Sequence, residues 1–125
     1  MSLWRKEAFE RLPEMRTALQ EDKSPYHFFH ALIDRLERAT KDSEEELIKR
    51  IYDFAVWSLK DAPRGKTSAD DIFTVVITSF FEDIPNNKII RKDIGKRLPH
   101  HMLLSLKEAF MYHGTEETFR EITSK

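Results

Sequence analysis

The sequence predicts an all-α fold, and two features of the chain support that prediction. Three glycines in 125 residues are too few for a turn-rich β-sandwich or barrel. The segment 72–81, IFTVVITSFF, is apolar over an arc of roughly 240° when drawn as a helix, so that Thr74 and Thr78 form a narrow polar strip. A helix of this kind has to be enclosed by other helices, so the rest of the chain is expected to pack around it.

The composition suits one folded domain spanning 1–125. Hydrophobic residues make up 40% of the chain, and nine Phe, three Tyr and two Trp supply a core. The net charge of −1 indicates neither a nucleic-acid-binding nor a membrane-binding surface. The absence of cysteine excludes disulfides, thiolate metal sites and cysteine nucleophiles. With no signal-peptide pattern and no apolar run of bilayer length, we expect a bacterial, cytoplasmic protein without membrane contact.

Three helices are predicted in the first forty residues. Ser2 caps a short helix that runs to Arg11, and a second covers 13–22, beginning at a proline, which is well tolerated at a first helical position. Ser24 caps a longer helix over 25–40. The apolar residues of that helix share one face: Phe28, Phe29, Leu32, Ile33, Leu36 and Ala39.

The middle of the chain predicts two further helices. Ser43 and Glu46 have the spacing of a capping box, with Ser as the cap of a helix that runs to Asp61. A loop follows over 62–67, and Ser68 is expected to cap the central helix.

The C-terminal part predicts helices over 88–98, 99–113 and 115–123. The helix 99–113 carries apolar residues on two faces, as the central helix does. Two-sided helices suit a stacked, HEAT-like array of helical hairpins, and an irregular bundle of about seven helices is the alternative.

Four motifs of packing residues lie between residues 10 and 115: Leu12-Pro13-Glu14-Met15, Tyr26 with Phe29 and Leu32, Ile51-Tyr52-Asp53-Phe54, and Val75-Val76 leading to Phe80-Phe81-Glu82. Together they resemble a group of small uncharacterised bacterial all-helical domains. The resemblance implies a HEAT-like arrangement and a role of immunity or accessory type. It implies no catalytic residues.

A metal site is one candidate. His27, His30 and Asp34 lie on one face of the predicted helix 25–40, at spacings that could present two imidazoles and a carboxylate to a metal ion. A site of this kind needs a further ligand from another helix, which the sequence does not identify. We therefore expect a solvated helix face, without metal or cofactor.

A basic segment is a second candidate. Five cations fall within residues 88–97, interrupted by Asp93: Lys88, Arg91, Lys92, Lys96 and Arg97. Such a cluster could contact phosphates without reading sequence. Because the overall charge is balanced and no aromatic residue interleaves the cluster, we expect a solvated amphipathic helix in preference to a nucleic-acid interface.

Trp57 is the third candidate. It projects between Arg50 and Asp53, away from the apolar face of its helix. A Trp placed there is either covered by a neighbouring helix, which we favour, or exposed as an anchor for a partner.

The functional expectation is a non-enzymatic protein–protein interaction module, of an immunity-like or regulatory accessory kind. Its partner would be a protein that the sequence does not identify. A nucleic-acid-binding regulator that uses the basic segment 88–97 is the alternative.

Overall fold

The structure is a computed structural model that describes residues 3–20, 24–64 and 71–124. These residues form helices and no strands, which confirms the all-α prediction; the arrangement is an irregular bundle. The helices are α1 (Leu3–Arg11), α2 (Arg16–Gln20, preceded by a 3-10 turn Pro13–Met15), α3 (Pro25–Lys41), α4 (Glu45–Lys60), α5 (Ile72–Val76, continued by a π-helical turn Ile77–Phe81), α6 (Lys88–Ile94, preceded by a 3-10 turn Ile84–Asn86), α7 (His100–Ser105), α8 (Lys107–Met111) and α9 (Glu116–Thr123).

The hairpin formed by α3 and α4 is the centre of the bundle. Helix α5 contacts both of these helices, α1 contacts α4, and α6 contacts α3. Helix α9 closes the far side against α6, α7 and α8. The buried apolar side chains of the described residues form one cluster, so the hairpin and its neighbours share a single core. None of the helices described is long and apolar enough to cross a membrane.

The central segment 72–81 is helical and enclosed, as the sequence predicts. Val75, Phe80 and Phe81 have no exposed surface, whereas Thr74 and Thr78 are exposed. The last turn is wider than an α-helix, because the amide of Glu82 donates to the carbonyl of Ile77 at 2.9 Å. The Thr78 hydroxyl donates to the Thr74 carbonyl at 3.0 Å and competes there with the backbone.

Two helix starts test the capping predictions. Ser24 accepts from the amide of His27 and precedes Pro25, as predicted for α3. Helix α5 starts at Ile72, where the Asp71 side chain accepts from the amide of Phe73 at 3.1 Å. The prediction that Ser68 caps the central helix is therefore wrong, because that helix begins at Ile72 with Asp71 as its cap. The predicted cap Ser2 and the end of the predicted helix 13–22 lie outside the described residues.

The predicted capping box at Ser43 is wrong. Ser43 has a φ of 56° and ends α3 instead of starting α4. The amide of Glu44 donates to the carbonyl of Ala39 at 2.9 Å, and the amide of Ser43 points to the carbonyl of Thr40 at 3.4 Å. This is a Schellman motif, in which the left-handed residue is usually glycine. The turn between α3 and α4 is short, so Ser43 terminates α3 and is not available as the N-cap of α4.

Two predicted helices in the C-terminal part are shorter than expected. The helix 88–98 ends at Ile94, and the helix 99–113 is divided into α7 and α8 at Leu106. Ser105 donates its hydroxyl to the carbonyl of Met102 at 2.9 Å, a local bond that competes with helix continuation. After the break, α8 packs on the π-helical turn and on α9, and α7 also packs on α9. The second of the two predicted apolar faces is only partly covered, because Leu104 on that face is 51% exposed.

Replacement of Ser43 by glycine is expected to stabilise the protein by about 0.5–1 kcal/mol, because a side chain in the left-handed region is strained and glycine is not. Urea unfolding of the Ser43→Gly variant measures the gain. Ser43→Ala keeps the Cβ atom and is the control, with little change expected. A Gly variant no more stable than the Ala variant would contradict the assigned turn.

An ion pair connects the N-terminal segment to α4. Arg50 donates to both carboxylate oxygens of Glu14, at 2.8 and 2.6 Å, and also to the carbonyl of Arg11 at 3.1 Å. The hydrogen bonds from Arg50 to its carboxylate lower the pKa of Glu14 from 4.5 to about 2. A bidentate pair of this kind holds the chain between α1 and α2 against the middle of α4.

The Glu14 pair is expected to make stability depend on pH. Because the pKa of Glu14 is lower in the folded state, its contribution is complete above pH 4.5 and disappears as the pH falls from 4.5 towards 2. Urea unfolding over this window should show a smaller loss of stability for Glu14→Gln than for the unchanged protein. Glu108→Gln, an exposed change on α8, should behave like the unchanged protein. Parallel pH profiles for all three proteins would refute the pair's role.

Candidate docking groove

Two adjoining pockets of about 490 and 470 Å³ follow α4 and form one groove, since Tyr52, Asp53 and Arg97 line both. We call the first the Glu45 pocket and the second the Trp57 pocket. The Glu45 pocket is also lined by Glu45, Glu46, Lys49 and Lys96. The Trp57 pocket is also lined by Arg11, Val56, Trp57, Lys60, Asp61, Leu98, Pro99, His101 and Met102.

Secondary structure explains where the groove lies. Tyr52, Val56 and Lys60 recur every four residues and so share one face of α4. The opposite side of the groove is formed by the segment that connects α6 to α7 and by the start of α7. Leu98 and Met102 of this segment are almost fully buried and give that side of the groove an apolar surface. Because α6 ends at Ile94, the chain is free to turn there and leaves a gap beside α4.

Trp57 is half-buried and held on two sides. Its ring stacks on Phe54, with centroids 5.9 Å apart and an angle of 22° between the planes. The guanidinium of Arg11 lies over the ring, 5.7 Å from its centroid. Trp57 is therefore neither fully covered nor fully exposed: it packs against the core and also lines a pocket.

Tyr52 connects the two pockets. Its side chain is 3% exposed, and its ring packs edge-on against Phe80 with centroids 6.3 Å apart. The buried hydroxyl has no hydrogen-bond partner among the described residues. Burial raises the pKa of the Tyr52 phenol, and the charge of Asp93 raises it further while Arg97 opposes the change. At neutral pH the phenol is therefore a protonated donor, with no acceptor in the described part of the chain.

Arg97 lies between an inner and an outer carboxylate. Its Nε donates to Asp93 at 2.6 Å, and the Asp93 side chain is 9% exposed. Its two terminal nitrogens donate to Glu45 at 2.5 and 3.1 Å, and the Glu45 side chain is 63% exposed. The Glu45 bonds are the main cause of the raised pKa of Arg97, and in turn they lower the pKa of Glu45.

The predicted basic cluster is only partly an open cationic surface. Arg97 and Lys96 both pair with Asp93, Lys96 at 3.2 Å. Arg91 donates to the carbonyl of Pro85 at 3.0 Å and lies 3.3 Å from Glu121. Lys88 and Lys92 are exposed on α6. Much of the positive charge in the segment is therefore balanced within the protein.

The candidate metal ligands have separate environments. His27 contacts the Ser24 hydroxyl at 3.1 Å, whereas His30 faces Asp83 at 3.8 Å. Asp34 lines a shallow depression together with Arg35 and other residues of α2 and α3. Across the described ranges, no group of three His, Asp or Glu side chains could hold a metal ion.

Sequence reasoning named Trp57, Lys96 and Arg97 but missed Tyr52 and Glu45 as groove residues. Tyr52 stands among the packing residues of the motif Ile51-Tyr52-Asp53-Phe54, which agrees with its buried ring, and no local pattern reveals that its hydroxyl lacks an acceptor among the described residues. Glu45 lies within the predicted capping box of α4, and no local pattern connects it to Arg97. One available signal was the spacing of Asp93 and Arg97, four residues apart on a helix, which predicts an ion pair.

The fold and the groove define a class: a small all-α domain with an open groove along one helix. The chain belongs to the DUF7674 family, a domain of unknown function, whose sequence profile matches residues 5–113. This agrees with the resemblance to uncharacterised helical domains. We found no match among curated proteins or solved structures.

Replacement of Tyr52 by phenylalanine is expected to leave the protein as stable as before or to stabilise it by about 1 kcal/mol, because a buried hydroxyl without a partner pays for desolvation with no compensating bond. Thermal and urea unfolding measure the effect. Tyr26→Phe, on a residue 39% exposed, is the matched control and should be neutral. A clear loss of stability in Tyr52→Phe would mean that the hydroxyl is bonded.

Proposed function

We propose that this protein is a non-enzymatic protein-interaction module and that its partner docks in the groove along α4. The observation that carries the proposal is the Trp57 pocket, a concave site whose aromatic wall is already ordered by Phe54 and Arg11. Trp, Tyr and Arg are the residue types that contribute most to binding at protein interfaces, and all three line this groove.

The order of the pocket supports binding in a second way. Association costs free energy for every side chain that it immobilises. Trp57 is already stacked and Tyr52 is already buried, so little of that cost falls on the aromatic wall. The occupant we propose is a segment of a partner protein that inserts an apolar or aromatic side chain between Trp57 and Met102.

The rim of the Trp57 pocket carries both signs of charge. Lys60 and His101 stand beside Asp53 and Asp61, and all four are exposed. A mixed rim suits a folded partner with its own mixed surface better than a uniformly anionic polymer. For this reason, and because Arg91, Lys96 and Arg97 already contact carboxylates, we prefer a protein partner to nucleic acid.

The finer role that we propose is an immunity-like or regulatory accessory protein of a bacterial cytoplasm. The resemblance to small bacterial helical domains motivates it. The lack of cysteine in the sequence is compatible with a reducing compartment.

The test is recovery of a defined partner by the tagged native protein, quantified by mass spectrometry, with binding then measured on the purified pair. Trp57→Ala and Lys60→Glu are expected to weaken binding at least tenfold, which is about 1.4 kcal/mol. Tyr112→Ala is the control: Tyr112 is 68% exposed and lies outside the groove, so its loss should leave binding unchanged.

Two results would contradict the proposal. One is a partner whose affinity is equal for the Trp57 and Tyr112 variants. The other is salt-dependent retention of the protein on DNA or RNA that is lost when Lys92 and Lys96 become Glu, since this would identify the basic segment as the working surface.

A further inference from the structure

The Glu45 pocket carries an inference about the chemistry of the partner, which rests on the proposed function. Its central group is Arg97, whose guanidinium is fixed from the inside by Asp93. Arg97 is held by both oxygens of Asp93, since its Nε donates to one at 2.6 Å and its Nη2 donates to the other at 3.3 Å. Both terminal nitrogens also reach outward to the exposed carboxylate of Glu45. A guanidinium held in this way is a ready receptor for a planar, two-oxygen anion.

Glu45 occupies that receptor in the free protein. It accepts from both terminal nitrogens of Arg97, in the geometry that a carboxylate ligand would adopt. The Glu45 side chain is mostly exposed, so water and salt weaken its hold on Arg97. Exchange of this carboxylate for one from another molecule would keep the same bonds to Arg97.

Tyr52 supplies a second, independent observation. Its side chain lines the same pocket as Glu45 and Arg97, and its buried hydroxyl lacks an acceptor among the described residues. Buried polar groups in native proteins are seldom left without partners, so an unpartnered donor on a residue that lines a pocket calls for an explanation. A carboxylate has enough lone pairs to accept from a guanidinium and a phenol together.

We propose that the partner presents the carboxylate of an acidic side chain beside its apolar anchor, and that this carboxylate displaces Glu45 from Arg97 and accepts a hydrogen bond from Tyr52. Glu45 then acts as a stand-in that covers the site until the partner arrives. A carboxylate is the group that we propose in preference to a phosphate, because Glu45 shows that a planar, two-oxygen group satisfies both terminal nitrogens of Arg97.

The test uses two small probes that share a ring and differ in charge: indole-3-propionate and indole-3-propionamide. Titration of ¹⁵N-labelled protein, followed by two-dimensional NMR, reports binding at the Trp57 indole and at the Arg97 Nε. The propionate is expected to shift both signals, and the amide to shift the indole signal alone. Inorganic phosphate, added as a competitor, should displace the propionate poorly.

Three variants make the test specific. Glu45→Gln should bind the propionate about three- to tenfold more tightly, because its neutral side chain competes less well for Arg97. Tyr52→Phe should bind it about three- to tenfold more weakly. Glu46→Gln is the matched control, since Glu46 lines the same pocket without contacting Arg97, and its affinity should change far less. The spectrum of each variant without probe serves as the check that the variant is folded.

Equal affinity for the propionate in the Glu45→Gln and Glu46→Gln variants would overturn the proposal, as would tight displacement by phosphate or the absence of any shift at Arg97. These failures differ from failure of the docking groove. If both probes shift Trp57 and charge makes no difference, the groove remains and the carboxylate assignment falls. If the purified partner binds the Trp57→Ala variant as tightly as the unchanged protein, the docking groove itself is refuted.

Discussion

A chain of aromatic contacts runs from the centre of the bundle to its surface, and the groove depends on it. Phe80, at the middle of the core, packs against Phe29 with centroids 6.1 Å apart. Phe29 stacks on Phe54, and Phe54 stacks on Trp57, both at 5.9 Å. Tyr52 rests on Phe80 directly. Both aromatic groups of the groove are therefore positioned by the residues that bury the segment 72–81.

The groove also combines local stability with an unmet bonding capacity. Its walls are firm, because Leu98 and Met102 are buried and Arg97 is anchored by Asp93. The phenol of Tyr52 is nevertheless buried without an acceptor in the part of the chain that the structure describes. Natural proteins retain such a cost where function requires it, and the carboxylate bond that we propose would account for a tyrosine at this position.

Short-range patterns predicted the helices well and their joints poorly. The enclosed segment 72–81 and the apolar face of α3 follow from helical periodicity, which the tertiary structure reinforces. The capping prediction at Ser43 was wrong because serine occurs at both ends of helices. Which end it occupies here depends on the length of the turn between α3 and α4. The division at Leu106 depends on packing against α9 and the π-helical turn, which no local pattern shows.

The groove was beyond sequence reasoning because its contacts are distant in the chain. Glu45 and Arg97 are 52 residues apart, and the guanidinium that lies over the ring of Trp57 comes from Arg11 in the first helix. Periodicity indicates which side chains of α4 face inward, but it does not indicate which segment lies opposite them. Trp57 could be singled out because its position conflicts with the polar residues around it, whereas Tyr52 agreed with its surroundings and gave no such signal.

Amide hydrogen exchange in the segment 75–81 tests most directly whether an enclosed helix at the centre supports the rest. The account predicts that these amides are among the slowest in the protein and exchange only through global unfolding, with the same free energy that urea unfolding gives. Fast exchange there, while α3 and α4 stay protected, would show that the segment opens on its own. The packing of the bundle and the position of the groove would then not depend on this segment.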